Sequence, residues 1–520
     1  GPPWGPSTVP NPLGGDVPVP MTKAMIDEIV EAFAAACARC EKAGLHGAEI
    51  HAAHGYLIQQ FLSPAINRRE DDYGGDFANR ARFLLEVMRA VRAATSRDFA
   101  VGIRLAPDLV EGGVAVQDNI RVAKALAREG LVDFVNVSLG SYHAFPKMIG
   151  GMHEPVGYEV PMAEPITAQI DVPTIITGRF RTLAEVDQAI RAGEADLVGM
   201  TRAHIADPDI VRKTKAGHPE RVRPCIACNQ GCVGGLFGDG CLGCAVNVET
   251  GNERDLDEDA IGTSERPGKV VIVGGGLAGL EAARIAALRG HAVILFEASA
   301  DLGGTLRLAA KLPTRHAIVD IAGWLEQEVY RLGVDVRLSS YAEVDDVLAE
   351  APDAVIVATG SQPRMDGIQN SNPGEPITGV DAPHVLSSHD LLDLKRNWRG
   401  SSAVVLDDTG HYEGLGVAEH LVADGANVTF VTPHKQPGPL VENALMVEPA
   451  LERIARGPGA FRQLTRHRLR RIERDSVEIS PTYAGPAFAA SAETVVLVTR
   501  NAPRRALYDE LAQKVATTAI

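Results

Sequence analysis

Residues Val270 to Val273 form a short apolar run that leads directly into Gly274-Gly275-Gly276-Leu277-Ala278-Gly279. A helical pattern to Leu288 follows, then a second apolar run from His291 to Phe296 that ends at Glu297. No other stretch constrains the chain as strongly. Glycines at this spacing let a strand turn tightly into a helix and let a pyrophosphate approach the helix N-terminus. Glu297 stands where an acid accepts hydrogen bonds from a ribose. Gly274, Gly276, Gly279 and Glu297 therefore predict a dinucleotide-binding strand-helix-strand unit, and a turn that merely packs tightly is the bland alternative.

A second unit of the same form runs through Ala403–Leu406, Tyr412–Ala423 and Val428–Val431. It lacks the glycine fingerprint, because its first strand ends in Asp407-Asp408-Thr409-Gly410. Two carboxylates at that turn repel a pyrophosphate, which disfavours NAD(P)H there. Between Met21 and Pro208 the apolar runs are Gly47–His51, Phe99–Leu105, Phe134–Leu139, Val172–Thr177 and Leu197–Thr201. Helical patterns alternate with them, among them Arg80–Ala94, Asp118–Gly130 and Leu183–Ala192. That alternation predicts an α/β fold with a parallel sheet and crossover helices, either doubly wound or a barrel. The runs end in polar or glycine-rich segments, as where barrel loops carry chemistry. Five such units are too few to close an eight-stranded barrel.

Five of the seven cysteines lie between Cys225 and Cys244, which is unlike a disulfide framework. Cys225, Cys228, Cys232 and Cys244 read C-x2-C-x3-C-x11-C. Three thiolates in one short loop and a fourth from a later turn suit a [4Fe-4S] cluster better than zinc, whose sites pair cysteines across a longer spacer. On spacing alone, Cys241 serves as well as Cys244. Cys37 and Cys40 stand apart in an Ala-rich helical segment and are expected to be buried thiols.

His51-Ala52-Ala53-His54-Gly55-Tyr56 follows the first of the barrel-type runs. Two imidazoles and a phenol at this spacing can polarise a carbonyl and deliver a proton. They can equally be metal ligands or structural loop residues. Arg104 ends an apolar strand, where a charge needs a partner, and an anionic cofactor edge would serve.

With 51 basic residues against 67 acidic ones and a formal charge of −16, the chain lacks the basic balance that nucleic-acid binding uses. No stretch approaches the roughly 18 apolar residues of a membrane span. The expected setting is cytoplasmic, with neither nucleic acid nor membrane as partner.

Taken together, the motifs resemble the Old Yellow Enzyme superfamily, NADH:flavin oxidoreductases. The match is to the multi-cofactor branch that contains 2,4-dienoyl-CoA reductase and trimethylamine dehydrogenase. The resemblance is carried by His51 to Tyr56, Phe61-Leu62-Ser63-Pro64, Asn67-Arg68-Arg69, Asp72-Tyr73-Gly74-Gly75, the Arg104 strand, Gly199-Met200-Thr201-Arg202, the cysteine set and the glycine fingerprint. It implies a (β/α)8 TIM barrel holding FMN, with its first strands preceding this chain. An iron-sulfur segment and a Rossmann-like FAD/nucleotide region would follow. The implied domains are 1–215 for the partial barrel, 216–266 for the cluster segment, 267–395 completed by 496–520 for the FAD domain, and 396–495 for a degenerate nucleotide module.

By resemblance, Arg104 faces the FMN pyrimidine edge, and Gly178, Arg179, Gly199 and Arg202 hold its phosphate. Cys244 becomes the fourth cluster ligand. Leu302-Gly303-Gly304 and Thr359-Gly360 resemble turns of FAD-binding modules and favour FAD over NAD at the first unit. The implied activity is reduction of the C=C bond of an α,β-unsaturated carbonyl or an enoyl or dienoyl thioester. His51 and His54 would hold the carbonyl oxygen while Tyr56 supplies the proton, with electrons passing from FAD through the cluster to FMN and NAD(P)H as a possible donor. The rival is an amine dehydrogenase or N-demethylase that passes electrons outward to a carrier protein, for which Tyr142, His143 and Phe145 are the aromatic-cage candidates. A homo-oligomer is expected.

Overall fold

The computed structural model describes residues 1–12 and 14–514, and these fall into two compact units. The first comprises residues 1–150 and 154–204, and the second 151–153 and the chain from 205 onward.

The first unit is built on five parallel strands in sequence order: Gly47–Ala52, Ala100–Leu105, Phe134–Val137, Thr174–Ile176 and Leu197–Val198. Each apolar run of the sequence becomes one of them. The last run is cut short because Thr201 already begins the helix Thr201–Ala206. Crossover helices cover the sheet with amphipathic faces. Val116–Arg128, for example, buries Asn119, Ile120, Val122, Ala123 and Leu126, the spacing of one helical stripe. Caps fix where these helices start. Asp76 accepts from the Asn79 amide at 2.9 Å, and Thr182 and Glu185 form a reciprocal capping box at the head of Leu183–Arg191. Cys37 and Cys40 both lie on the helix Lys23–Lys42, but only Cys37 is buried, while Cys40 is half-buried.

The second unit contains two parallel sheets. One has four strands in the order Asp335–Arg337, Ala292–Phe296, Lys269–Val273, Ala354–Val357. The other has five, in the order Val385–Ser387, Thr494–Val498, Ser402–Asp407, Asn427–Thr432, Phe461–Thr465. An antiparallel meander, His467–Ile472, Ser476–Pro481 and Phe488–Ser491, stands beside the second sheet in sequence. Pairing assigns 385–387 and 494–498 to the second sheet. The chain then returns to the first: Ala502–Pro503 pairs with Ser361–Gln362, and Leu511 packs with Val271, Val273 and Phe296. Of the stretch 496–520 expected to complete the first module, residues 515–520 lie outside the described part. The cysteine segment has only short helices, as its lack of periodicity predicts. Among the described residues no helix is long and apolar enough to cross a membrane.

Candidate functional site

Parallel register brings His51 directly opposite Arg104, and Arg104 opposite Asn136. Side chains alternate along a strand, so Glu49 shares the face of His51. Arg104 Nε lies 2.8 Å from Glu49 Oε1 as an ion pair, without the alignment of a hydrogen bond. Asn136 Nδ2 donates to the other Glu49 oxygen at 2.9 Å. The partner that Arg104 requires is thus first supplied by the protein itself. Glu49 was the residue missed in the sequence, although its two-residue offset from His51 was the available signal.

Past the strand the chain turns at His54, with φ 61°, and Gly55, with φ 79°. That turn folds His54 back to 5.3 Å from the His51 ring and brings Tyr56 to within 4.8 Å of it, centroid to centroid. Burial, reinforced by His51 and then Arg104, lowers His54 to about 3, well below its ordinary value. Burial and the Arg104 charge also lower His51, against a smaller opposing pull from Glu49. Both rings are therefore neutral at neutral pH. The Gly140 backbone engages the His54 ring. His51 Nδ1 is buried and has no hydrogen-bond partner among the described residues. Tyr56 is 45 % exposed, and its hydroxyl meets the Tyr142 hydroxyl. Burial raises Tyr142, so it keeps its proton. Tyr142 in turn stacks at 5.4 Å on Phe145, which is buried, whereas His143 is exposed. Two of the three cage candidates therefore form an aromatic row with Tyr56.

At the ends of the last two strands lie the residues expected to hold a phosphate. Gly178 has φ 140°, and a Cβ on it would come within 3.2 Å of Gly157 Cα and 3.3 Å of the Glu159 amide. Arg179 is left-handed at φ 62°. The Gly199 amide donates to Ile176 at 2.8 Å, and Arg202 Nη1 donates to the Gly150 carbonyl at 2.8 Å. Behind the Gly178 turn, buried Glu159 accepts from Ser138 at 3.0 Å and Thr177 at 2.5 Å. Burial pushes its carboxyl upward. This tie between two strand ends was not legible from the sequence. Two guanidiniums, a glycine turn and a third cation at Arg104 suit a dianionic phosphate and an electron-rich ring edge, so the donor set fits FMN.

In the second unit the nucleotide turn has the expected form. Gly276 caps the helix Leu277–Leu288, and a Cβ on Gly279 would overlap the Gly274 carbonyl. The Glu297 carboxylate accepts from the Gly275 and Ser299 amides at 2.6 and 2.7 Å, beside the turn. The Gly303 amide donates to Gly275 at 2.8 Å, so Gly303-Gly304 lies on the same turn. Thr359 and Gly360 bond to Arg504. In the second module Asp407 accepts from the Thr409 and Gly410 amides at 3.1 and 3.0 Å, and Asp408 accepts from Asn370 at 2.7 Å. Both acids are buried, with pKa values raised by that burial. The amides a phosphate would use are occupied by the protein's own carboxylate.

Among the cysteines, burial pushes Cys228 up to about 12, with a smaller upward contribution from neighbouring Cys225, Cys232 and Cys244, and burial raises Cys244 as well. Cys241 is exposed. Among the described residues no three His, Cys, Asp or Glu side chains converge as they would on one ion. The loops that carry the cysteines are nevertheless pinned together. The Gly243 amide donates to Gly231 at 2.9 Å, and Arg223 Nη1 donates to Asn247 Oδ1 at 2.6 Å. Four cysteines on segments tied together in this way supply the thiolate donor set that a multi-iron cluster uses.

Comparison with known proteins agrees with this architecture. Residues 7–221 match the NADH:flavin oxidoreductase / NADH oxidase family, and residues 272–321 match an NAD(P)-binding Rossmann-like domain. A probable N-methylproline demethylase of Rhizobium meliloti (strain 1021) is 34 % identical over 94 % of this chain and 70 % of its own length. A multifunctional alkene reductase/demethylase of Caballeronia cordobensis is 37 % identical over 84 % of this chain and 62 % of its own. The solved 6-hydroxypseudooxynicotine amine oxidase of Pseudomonas geniculata N1 superposes with a TM-score of 0.92 at 29 % identity, covering 99 % of this chain and 77 % of that one. This chain belongs to the NADH:flavin oxidoreductase / NADH oxidase family. Its fold is that of this family's TIM-barrel domain followed by a C-terminal NAD(P)-binding Rossmann-like domain, and the chain spans 57 to 70 % of the length of the curated relatives it matches.

Proposed function

We propose that this protein reduces the C=C bond of an α,β-unsaturated carbonyl compound or of an enoyl or dienoyl thioester. The observation that carries this reading is the neutral His51–His54 pair beside Tyr56, with a buried and unpartnered nitrogen on His51. Gly178, Arg179, Gly199 and Arg202 would hold FMN, with Arg104 available to its pyrimidine edge, and that flavin, once reduced by the electron donor, would supply the hydride for the β-carbon. His51 is the primary donor to the substrate carbonyl oxygen, because a neutral ring keeps its N–H and loses none of it to a protein acceptor. His54, anchored at Gly140, completes the pocket for that oxygen. Tyr56 gives its proton to the α-carbon, and Tyr142 donates to the phenolate left behind. The Cys225, Cys228, Cys232 and Cys244 thiolates would hold a [4Fe-4S] cluster, which supplies one-electron transfer. The Gly274–Gly279 turn would hold FAD, with NAD(P)H as donor.

A second reading, oxidation of an N-methylated amine, is supported by the aromatic row Tyr56–Tyr142–Phe145 and by relatives named as an N-methylproline demethylase and an amine oxidase. Tyr56→Phe separates the two. On the reductase reading it slows substrate reduction at least ~100-fold, the range of general acid catalysis, and leaves flavin reduction unchanged. Equal slowing of both half-reactions removes Tyr56 from the proton-donor role.

A further inference from the structure

Arg315 is a buried cation. It is 7 % exposed, and among the described residues its guanidinium makes no ion pair and no side-chain hydrogen bond. Glu419, the acid whose charge it feels, is already held by Arg453 at 2.6 Å. Burying an unpaired charge is costly unless an opposite charge sits nearby. The guanidinium instead lies 4.1 Å from the centroid of the Tyr412 ring. Tyr412 is itself buried, and its hydroxyl donates to the Cys228 carbonyl at 3.5 Å. Arg315, Tyr412 and Cys228 therefore form a contiguous chain of contacts that ends at the backbone of a cysteine of the cluster segment.

We propose that Arg315 is the counter-cation of an anionic iron-sulfur cluster on Cys225, Cys228, Cys232 and Cys244, and that its charge raises the reduction potential of that cluster. The inference rests on the cluster reading above. A cluster bound by four thiolates carries net negative charge and becomes more negative on reduction. A fixed buried cation favours the reduced form, and the surrounding low dielectric strengthens the effect. Tyr412 places the guanidinium by stacking and does not itself carry the charge.

The test uses the holoprotein as purified, with Arg315→Gln, Arg315→Lys and Tyr412→Phe. Iron, acid-labile sulfide, flavin and nucleotide are counted per chain, and the cluster midpoint is read by potentiometric titration with electron paramagnetic resonance. The expected result is a more negative midpoint for Arg315→Gln, near wild-type behaviour for Arg315→Lys, and little change for Tyr412→Phe, which keeps the ring. Failure of Arg315→Gln to assemble a cluster that Arg315→Lys still holds at the wild-type midpoint also supports the pairing. An unchanged midpoint in a fully loaded Arg315→Gln overturns the proposal, as does an equal shift in Arg315→Lys. Loss of nucleotide with an unaffected cluster assigns Arg315 to a phosphate and overturns it too. Wild-type protein without iron and sulfide overturns the cluster reading itself and the proposal with it.

Discussion

Gly231 and Gly243 are joined by a 2.9 Å hydrogen bond, the Gly243 amide donating to the Gly231 carbonyl, and each is the chain neighbour of a cysteine, Cys232 and Cys244. A Cβ on Gly231 would come within 2.9 Å of the Cys244 amide nitrogen and Cα. Gly231→Ala is therefore expected to force the two loops apart. The cost is about 1 to 3 kcal/mol, together with a lower iron content per chain. Thermal unfolding and iron analysis check this, and full iron content with an unchanged melting temperature contradicts it.

The same geometry separates Cys244 from Cys241. Cys244 interacts with Cys225 and Cys232, whereas Cys241 is exposed. Cys244→Ser is predicted to abolish the visible absorbance of the cluster, while Cys241→Ser leaves it intact. The reverse pattern in the two spectra would reassign the fourth ligand.

In the nucleotide turn, Gly279→Ala places a methyl group on the Gly274 carbonyl, so the strand and helix cannot close on a pyrophosphate. The variant is expected to lose nucleotide or FAD from the C-terminal module and to keep FMN, since the barrel donors lie elsewhere in the chain. Cofactor analysis after denaturation reads this directly. Parallel loss of FMN would show that the site assignments are mixed.

His54 gives a pH prediction. Its folded value of about 3 lies below its ordinary 6.5. As pH falls through that window the unfolded chain takes up a proton that the folded chain does not, and stability declines by up to about 1.4 kcal/mol per pH unit from this group. Above about pH 6.5 the group is neutral in both states and contributes no slope. His54→Asn, which tolerates φ 61°, is expected to lose less stability between pH 4 and 6, by about one proton in the linkage slope. Denaturant unfolding across that range measures it, and an identical slope in both proteins would place the His54 pKa near normal.

The parts of the molecule written in local sequence were readable from it. The Gly274 to Gly279 turn and the strands beside it depend on neighbours in the chain, as do the crossover helices and their caps. What was not readable depends on pairing across distance. Glu49 becomes the Arg104 partner only once two strands are set in register. Tyr142 reaches Tyr56 because a short turn after another strand brings it back. Arg315, Tyr412 and Cys228 come from three separate segments with no shared motif. The return of Ala502–Pro503 to Ser361–Gln362 is a two-residue pairing, too short to leave a periodic signal. Cys40 sits on a well-formed helix, yet its exposure depends on what packs beside that helix rather than on its own sequence.

The direction of electron flow is read most directly by anaerobic stopped-flow. The purified holoprotein is mixed separately with NADH, with NADPH and with an N-methylated amine while flavin absorbance is followed, and an enoyl thioester is then added. Fast bleaching by at least one nicotinamide, none by the amine, and reoxidation of the flavin by the unsaturated thioester are expected. Bleaching by the amine alone, with no response to NADH or NADPH, would contradict the reductase reading and assign the site to amine oxidation.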